Sequence, residues 1–140
     1  MEILRRKFII FSDDSTPTIG VLSQSHNETH SYIAASYIKY LESAGARVIP
    51  VPTNRDEYFY EQVFQNINGV LLPGGGVDLV KSDYAKLSRY FLMKSVTENA
   101  VGHYFPIWGT CLGFEELLGE NTLIVKIFNT SNLNLNIKLF

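Results

Sequence analysis

The sequence has one cysteine, three histidines and almost no net charge in its 140 residues. These shortages exclude several kinds of structure and partner. The single cysteine, Cys111, rules out a disulfide framework within the chain and leaves a thiol that burial or reactivity must explain. A formal net charge of −2 gives no electrostatic reason to expect a nucleic acid or an anionic membrane as a partner. No hydrophobic run reaches the roughly 20 residues of a membrane span.

The N-terminus has only a superficial likeness to an export signal. Basic residues precede the apolar run Phe8–Phe11, but that run is too short for the core of a signal peptide, and polar residues end it. No signal peptide is therefore visible in the sequence. Two glycosylation sequons, Asn27–Thr29 and Asn129–Ser131, would matter only in the secretory pathway.

Short apolar strands alternate with helical stripes along most of the chain. Strands are predicted at 18–22, 47–51, 69–72 and 105–108, and helices at 32–44, 54–66 and 82–98. This alternation is typical of right-handed βαβ units and predicts an α/β fold, a parallel sheet with helices on both faces. We predict a lead at 1–17, an α/β domain at 18–118 and a divergent tail at 119–140. The tail is either a β-hairpin or an unpaired, sticky segment.

Residues 105–118 contain the motif that carries most chemical information. A short apolar strand runs into Gly109-Thr110-Cys111-Leu112-Gly113, and a helix-like run follows. This is a G-x-C-x-G version of the nucleophile elbow, a sharp strand-to-helix turn with the reactive residue at its tip. Cys111 would then project at the positive end of the helix, where a thiolate is favoured. The alternative is a small buried cysteine in an ordinary loop; the flanking glycines favour the elbow.

A glycine run at 74–76 follows the predicted strand 69–72. In a parallel sheet this loop and Cys111 lie at the same edge, beyond the carboxyl ends of the strands. The arrangement suits acyl transfer, in which the Cys111 thiolate attacks an amide carbonyl. The N–H of Leu112 and one N–H from the glycine run would hold the oxyanion. The loop lacks the Gly-Lys-Ser/Thr ending of a phosphate loop.

A general base is the missing part of this predicted site. If the segment before the elbow is extended, His103 lies roughly 25 Å from the nucleophile, at the opposite edge of the sheet. His26 and His30 follow the first strand on the correct edge, but nothing aims them at the thiol, and they lack a third ligand for a metal. Glu115 and Glu116 are predicted to face solvent. We predict no metal and no cofactor.

Five motifs, in order, resemble the γ-glutamyl hydrolases. They are Tyr32–Tyr37, Leu41–Val48, Pro73–Asp78, Ser82–Ala85 and Trp108–Glu116. The Gly-Phe-Glu that follows the cysteine separates them from ordinary glutamine amidotransferases, which carry Gly-His-Gln or a similar sequence there. The likeness runs nearly continuously from residue 18 to residue 118.

This resemblance implies a class I glutamine amidotransferase-like fold with flavodoxin-like layering. It implies a cysteine peptidase that removes γ-linked glutamates from folylpoly-γ-glutamates in lysosomes, vacuoles or the extracellular space, and a homodimer. Matched by position, Cys111 is the nucleophile, Leu112 with Gly74 and Gly75 are the oxyanion donors, and Tyr32 lies near the substrate.

The resemblance covers the N-terminal half of the family and therefore implies a truncated fold. Family members carry their catalytic histidine in a Trp-His-Pro-Glu-like motif after the elbow, and residues 119–140 contain no such motif. We therefore expect the 140-residue chain to be inactive or nearly so. Two alternatives remain: a non-catalytic binding or interaction domain, and an unstable fragment.

Overall fold

The computed structural model describes residues 16–25, 27 and 30–119. The predicted tail hairpin and most of the lead lie outside this range. The elements, in chain order, are β1 (Thr18–Leu22), β2 (Gln24–Ser25), β3 (Ser31–Tyr32), α1 (Ala35–Ser43), β4 (Arg47–Val51), α2 (Glu57–Asn66), β5 (Gly69–Leu72), α3 (Asp83–Ala100) and β6 (Ile107–Gly109). A further helix, which we call the elbow helix, occupies residues 112–119.

Four strands form one parallel sheet in the order β4-β1-β5-β6. The chain goes from β1 to β4 on one side and then returns past β1 to β5 and β6. Because such crossovers are right-handed, α1 lies on one face of the sheet and α2 and α3 lie on the other. The prediction of an α/β fold with a parallel sheet is confirmed.

The strand order reverses at β1, and this reversal creates a crevice between the loops after β1 and β5. In open α/β sheets, ligands bind in such a crevice, beyond the carboxyl ends of the strands. The loop after β1 begins with Ser23 and Gln24, and the loop after β5 contains Pro73 and the glycine run. The topology therefore brings these two loops together before any side chain is considered.

The main hydrophobic core lies between the sheet and the pair α2–α3. All four residues of β5 are buried, as expected for a central parallel strand that is covered on both faces. Phe91 of α3 is fully buried, and the rings of Phe64 and Phe105 pack with their centroids 4.4 Å apart. At the rim, a hydrogen bond from Lys94 to Glu61 is the main cause of a lowered pKa for that carboxyl.

Side-chain caps and a glycine set the ends of the helices. The Asp56 side chain accepts a hydrogen bond from the Phe59 N–H (2.8 Å), and Ser82 accepts one from the Ala85 N–H (3.1 Å), so both cap their helices. Gly45 follows α1 with φ +85°, the left-handed conformation that ends many helices. Within the described residues, no helix has the length and apolar character needed to cross a membrane.

Several predicted boundaries were wrong. The second helix begins at Glu57 and not at residue 54, and the third ends at Ala100 and not at residue 98. Two further errors follow from hydrogen bonds to residues outside the predicted element. Tyr32 is in β3 and not in the first helix, because it pairs with Gln24 of β2 in an antiparallel ladder. Phe105 does not start the last strand, because its backbone N–H donates to Asn99 Oδ1 (3.0 Å) and its carbonyl accepts from Ser95 Oγ (2.7 Å). That strand begins at Ile107 instead.

Candidate active site

Cys111 lies at the turn between β6 and the elbow helix. Its φ is +54°, and it is the only non-glycine residue with a positive φ in the described part of the chain. The residue is exposed. An L-residue held in this conformation costs free energy, and such strain is concentrated at functional sites. The turn thus has the geometry of a nucleophile elbow, with an accessible thiol at its tip.

The two glycines of the motif allow the strand and the helix to approach closely. A Cβ on Gly109 would lie 2.4 Å from the Gly113 carbonyl oxygen. A Cβ on Gly113 would lie 2.1 Å from the carbonyl oxygen of Leu72, in β5. Neither position has room for a side chain. The spacing of the motif is therefore required by backbone packing.

The glycine loop after β5 lies directly beside Cys111. A Cβ on Gly74 would be 3.0 Å from Cys111 Cβ and 3.4 Å from the Thr110 carbonyl oxygen. The Thr110 N–H donates to the Leu72 carbonyl at 3.0 Å, which extends the β5–β6 contact up to the elbow. The structure therefore brings together the predicted nucleophile and the predicted oxyanion loop.

The two predicted loop donors differ in their surroundings. The Gly74 N–H donates a hydrogen bond to the Tyr37 hydroxyl at 2.9 Å. Leu112 is the first residue of the elbow helix, where a backbone N–H has no acceptor within the helix. The Gly74 N–H is therefore already bound, and the N–H groups of Leu112 and Gly75 remain the predicted donors to an oxyanion.

Two buried side chains bind the carbonyl groups of the same loop. Gln24 Nε2 donates to the Pro73 and Gly74 carbonyls at 3.3 and 3.2 Å. The Tyr84 hydroxyl donates to the Pro73 carbonyl at 2.8 Å. Burial, followed by the negative charge of Glu116, raises the pKa of Tyr84 and keeps its hydroxyl protonated as a donor.

Sequence reasoning missed Tyr37, Gln24 and Tyr84. Tyr37 lies within the predicted helix 32–44, where its spacing is that of an ordinary apolar position. Its hydroxyl could be identified only from its distance to Gly74 in space. A useful signal would have been a hydrogen-bonding side chain just beyond the end of a buried strand, since Gln24 lies two residues after β1.

The predicted substrate residue, Tyr32, lies on the β2–β3 hairpin and is 46% exposed. It lines a cavity of about 510 Å³ at the carboxyl edge of β1 and β4. Ser23 and Ser31 contribute polar groups to this cavity, and Arg55 contributes a positive charge. This cavity lies on the β4 side of β1, and neither Cys111 nor the glycine loop lines it. Tyr37, in contrast, contacts the glycine loop through its hydroxyl.

The two histidines within the described residues lie at opposite edges of the sheet. His103 precedes β6, at the edge opposite the elbow, with Nδ1 2.7 Å from Glu98 Oε2. His30 is exposed, with Nδ1 3.2 Å from Asn27 Oδ1, and His26 lies outside the described residues. Among the residues described, no three histidine, cysteine or acidic side chains are grouped so that they could hold a metal ion.

The prediction that both elbow-helix glutamates face solvent was half wrong. Glu115 is exposed, but Glu116 is only 3% exposed. Glu116 precedes Leu117 and lies one helical turn after Leu112, and both leucines are buried in the core. The buried side of this short helix therefore includes a carboxyl group.

Comparison with known proteins identifies the family of the chain. The peptidase C26 family profile matches residues 17–129, which include the glycine loop and the elbow. The chain belongs to the peptidase C26 family.

Within this family, the chain is similar to several γ-glutamyl hydrolases. It is 55% identical to γ-glutamyl hydrolase of Homo sapiens over 107 residues, which are 72% of this chain and 34% of that protein. It is 52% identical to γ-glutamyl hydrolase of Bos taurus over 117 residues, 76% of this chain and 37% of that protein. For Rattus norvegicus the figures are 46% over 126 residues, 85% and 40%. The chain thus spans 34–40% of the length of these curated relatives.

Proposed function

We propose that this chain carries the nucleophile half of a γ-glutamyl hydrolase, a cysteine hydrolase that cleaves γ-glutamyl bonds of folylpoly-γ-glutamates. The observation that supports this best is the exposed Cys111, held at positive φ beside Gly74. The similarity to γ-glutamyl hydrolases supports the choice of a γ-glutamyl bond as the target.

In the proposed reaction, the Cys111 thiolate adds to the amide carbonyl carbon and forms a C–S bond. The carbonyl oxygen becomes an oxyanion, which the N–H groups of Leu112 and Gly75 stabilise. When the intermediate collapses, the C–N bond breaks, the amine leaves with an added proton and a thioester remains. Water then hydrolyses the thioester and restores the thiol.

The leaving amine needs a proton donor, and we propose that the 140-residue chain supplies this step poorly. His103 lies at the opposite edge of the sheet, where it is hydrogen-bonded to Glu98. We therefore expect Cys111 to react with electrophiles while amide turnover stays very low. General acid–base catalysis typically contributes about a hundred- to ten-thousandfold in rate.

The test is hydrolysis of a pteroyl-oligo-γ-glutamate by the purified chain and by Cys111→Ala. We expect negligible turnover by both and labelling of Cys111, in the unchanged chain only, by a γ-glutamyl chloromethyl ketone. Turnover that Cys111→Ala abolishes would contradict the proposed inactivity. Labelling no faster than that of a free thiol would contradict the nucleophile assignment. Tight binding of the folate with an unreactive thiol would favour a non-catalytic binding domain.

We propose that Tyr32 contacts the substrate from the β2–β3 hairpin. The cavity that it lines also contains Arg55, a cation suited to the α-carboxylates of a glutamate chain. Tyr32→Ala is expected to weaken binding of the pteroyl-oligo-γ-glutamate, measured by calorimetry. Substitution of Tyr58, which is exposed outside this cavity, is the matched control.

Compartment and assembly follow as proposals from the same family assignment. We propose a lysosomal, vacuolar or extracellular location, where glycosylation of Asn27, the exposed first residue of a sequon, would be possible. A mass shift of the expressed protein on deglycosylation, lost in Asn27→Gln, would support passage through the secretory pathway.

We propose a homodimer, to be tested by light scattering of the purified chain.

A further inference from the structure

One buried side chain joins the two loops that form the crevice. Gln24 follows β1 almost directly, is 1% exposed, and donates from Nε2 to the carbonyls of Pro73 and Gly74. It therefore connects the loop after β1 with the loop after β5, at the point where the strand order reverses. Gln24 also pairs across the β2–β3 ladder with Tyr32.

The backbone of the glycine loop is shaped to receive this amide. A Cβ on Gly75 would lie 1.6 Å from Gln24 Oε1 and 2.4 Å from its Nε2, so the amide fills the space that a side chain would occupy. Gly75 does not have a positive φ, so this position requires glycine for space and not for backbone conformation. The fit between Gln24 and Gly75 is therefore steric as well as polar.

The orientation of each peptide unit follows from where its carbonyl points. In a trans peptide the C=O and the next N–H point in opposite directions, and none of the described peptide bonds is cis. The Pro73 carbonyl points to Gln24 and Tyr84, and the N–H on its far side, that of Gly74, reaches Tyr37. By the same geometry, the Gly74 carbonyl points to Gln24, and the Gly75 N–H points away from it.

We propose that Gln24 is a positioning residue that directs the Gly75 N–H toward the oxyanion of the Cys111 reaction. The Gly74 N–H is bound to Tyr37, so Gly75 is the loop residue whose N–H this arrangement presents. Gln24 touches neither the substrate nor the reacting atoms; it acts through the Gly74–Gly75 peptide. This inference rests on the proposed function, because it needs Cys111 to form an oxyanion.

The test compares two reactions of the same thiol in the full chain. A γ-glutamyl aldehyde adds to Cys111 as a hemithioacetal: the C–S bond forms, and the carbonyl oxygen takes the negative charge or a proton from water. Iodoacetamide alkylates the same sulfur by displacing iodide and creates no oxyanion. The aldehyde dissociation constant therefore reports the oxyanion site, and the alkylation rate reports access to the thiol.

Gln24→Met keeps the length of the side chain and removes its N–H donors. We expect it to weaken aldehyde binding by about tenfold or more, while the alkylation rate changes by less than about threefold. Ser95→Ala is the matched control, because it removes an equally buried hydrogen bond to a loop carbonyl, that of Phe105, away from the glycine loop. It should leave both constants unchanged.

Equal aldehyde binding by Gln24→Met and the unchanged chain would overturn the inference while leaving the proposed function intact. Parallel losses in both reactions would also overturn it, since they would indicate general damage to the site. If the unchanged chain binds the aldehyde no better than Cys111→Ala does, the proposed function fails and the inference fails with it. Should Gln24→Met not fold, Gly75→Ala displaces the same amide from the other side, and the same selective loss is expected.

Discussion

At the residue scale, the backbone of Cys111 makes a prediction that is independent of its chemistry. A φ of +54° disfavours any residue with a Cβ by roughly 1–2 kcal/mol, whereas glycine adopts it freely. Cys111→Gly should therefore be at least as stable as Cys111→Ala, the reverse of the usual order. The measurement is the urea midpoint of both variants.

The control for this prediction is the same pair of substitutions at Lys39, an exposed position in the middle of α1. There glycine should be about 1 kcal/mol less stable than alanine, because the helix interior disfavours it. If alanine is clearly preferred to glycine at both positions, the elbow is not strained in solution.

The candidate site was predictable from sequence only where the motif itself imposes geometry. Cys111 and its flanking glycines could be recognised because an elbow requires small residues at fixed spacing. Gln24 and Glu116 could not, because their burial depends on contacts with other segments of the chain. Glu116 looks like a surface charge in the sequence, yet the short elbow helix turns it inward.

At the scale of elements, the contact between β5 and the elbow helix should be intolerant of any side chain. Gly113→Ala places a methyl group 2.1 Å from the Leu72 carbonyl oxygen, and backbone on both sides limits relaxation. We expect a loss of several kcal/mol in the free energy of unfolding, or no folded protein. Gly76→Ala is the control, because its Cβ would meet nothing within 4 Å. Similar stability for both variants would contradict the close approach.

Helices α1 and α3 should differ in their local stability. α1 has no fully buried residue, whereas eight residues of α3 are buried. Local opening is easiest where few apolar contacts are lost. In hydrogen exchange followed by mass spectrometry, we expect the amides of α1 to exchange faster than those of the middle of α3, by about tenfold or more. Equal protection would mean that α1 opens only with the whole domain. The result bears on the site because α1 carries Tyr37.

For the whole molecule, the order and type of elements were predictable because hydrophobic periodicity reports local structure well. Strands at Thr18–Leu22, Arg47–Val51 and Gly69–Leu72 have the predicted bounds. The errors at Tyr32 and Phe105 share one cause: each residue makes its backbone hydrogen bonds to a partner that a local pattern does not contain. The sequence pattern alone also did not specify which loops meet; the parallel order β4-β1-β5-β6 decides that.

A single hydrophobic cluster connects every layer on the α2–α3 side, and it predicts how the molecule unfolds. Its members come from the sheet, from both helices and from the elbow helix, as Leu72, Phe64, Phe91 and Leu112 illustrate. Because these contacts are lost together, we expect one cooperative urea transition, with far-ultraviolet circular dichroism and Trp108 fluorescence giving the same midpoint.

Phe91→Ala should lower the free energy of unfolding by about 3–5 kcal/mol. Tyr58→Ala, at an exposed position of α2, should change it by less than about 0.5 kcal/mol. A core that links the layers should unfold in one step. A broad, non-cooperative urea transition would therefore contradict this expectation and support the alternative that the chain is an unstable fragment.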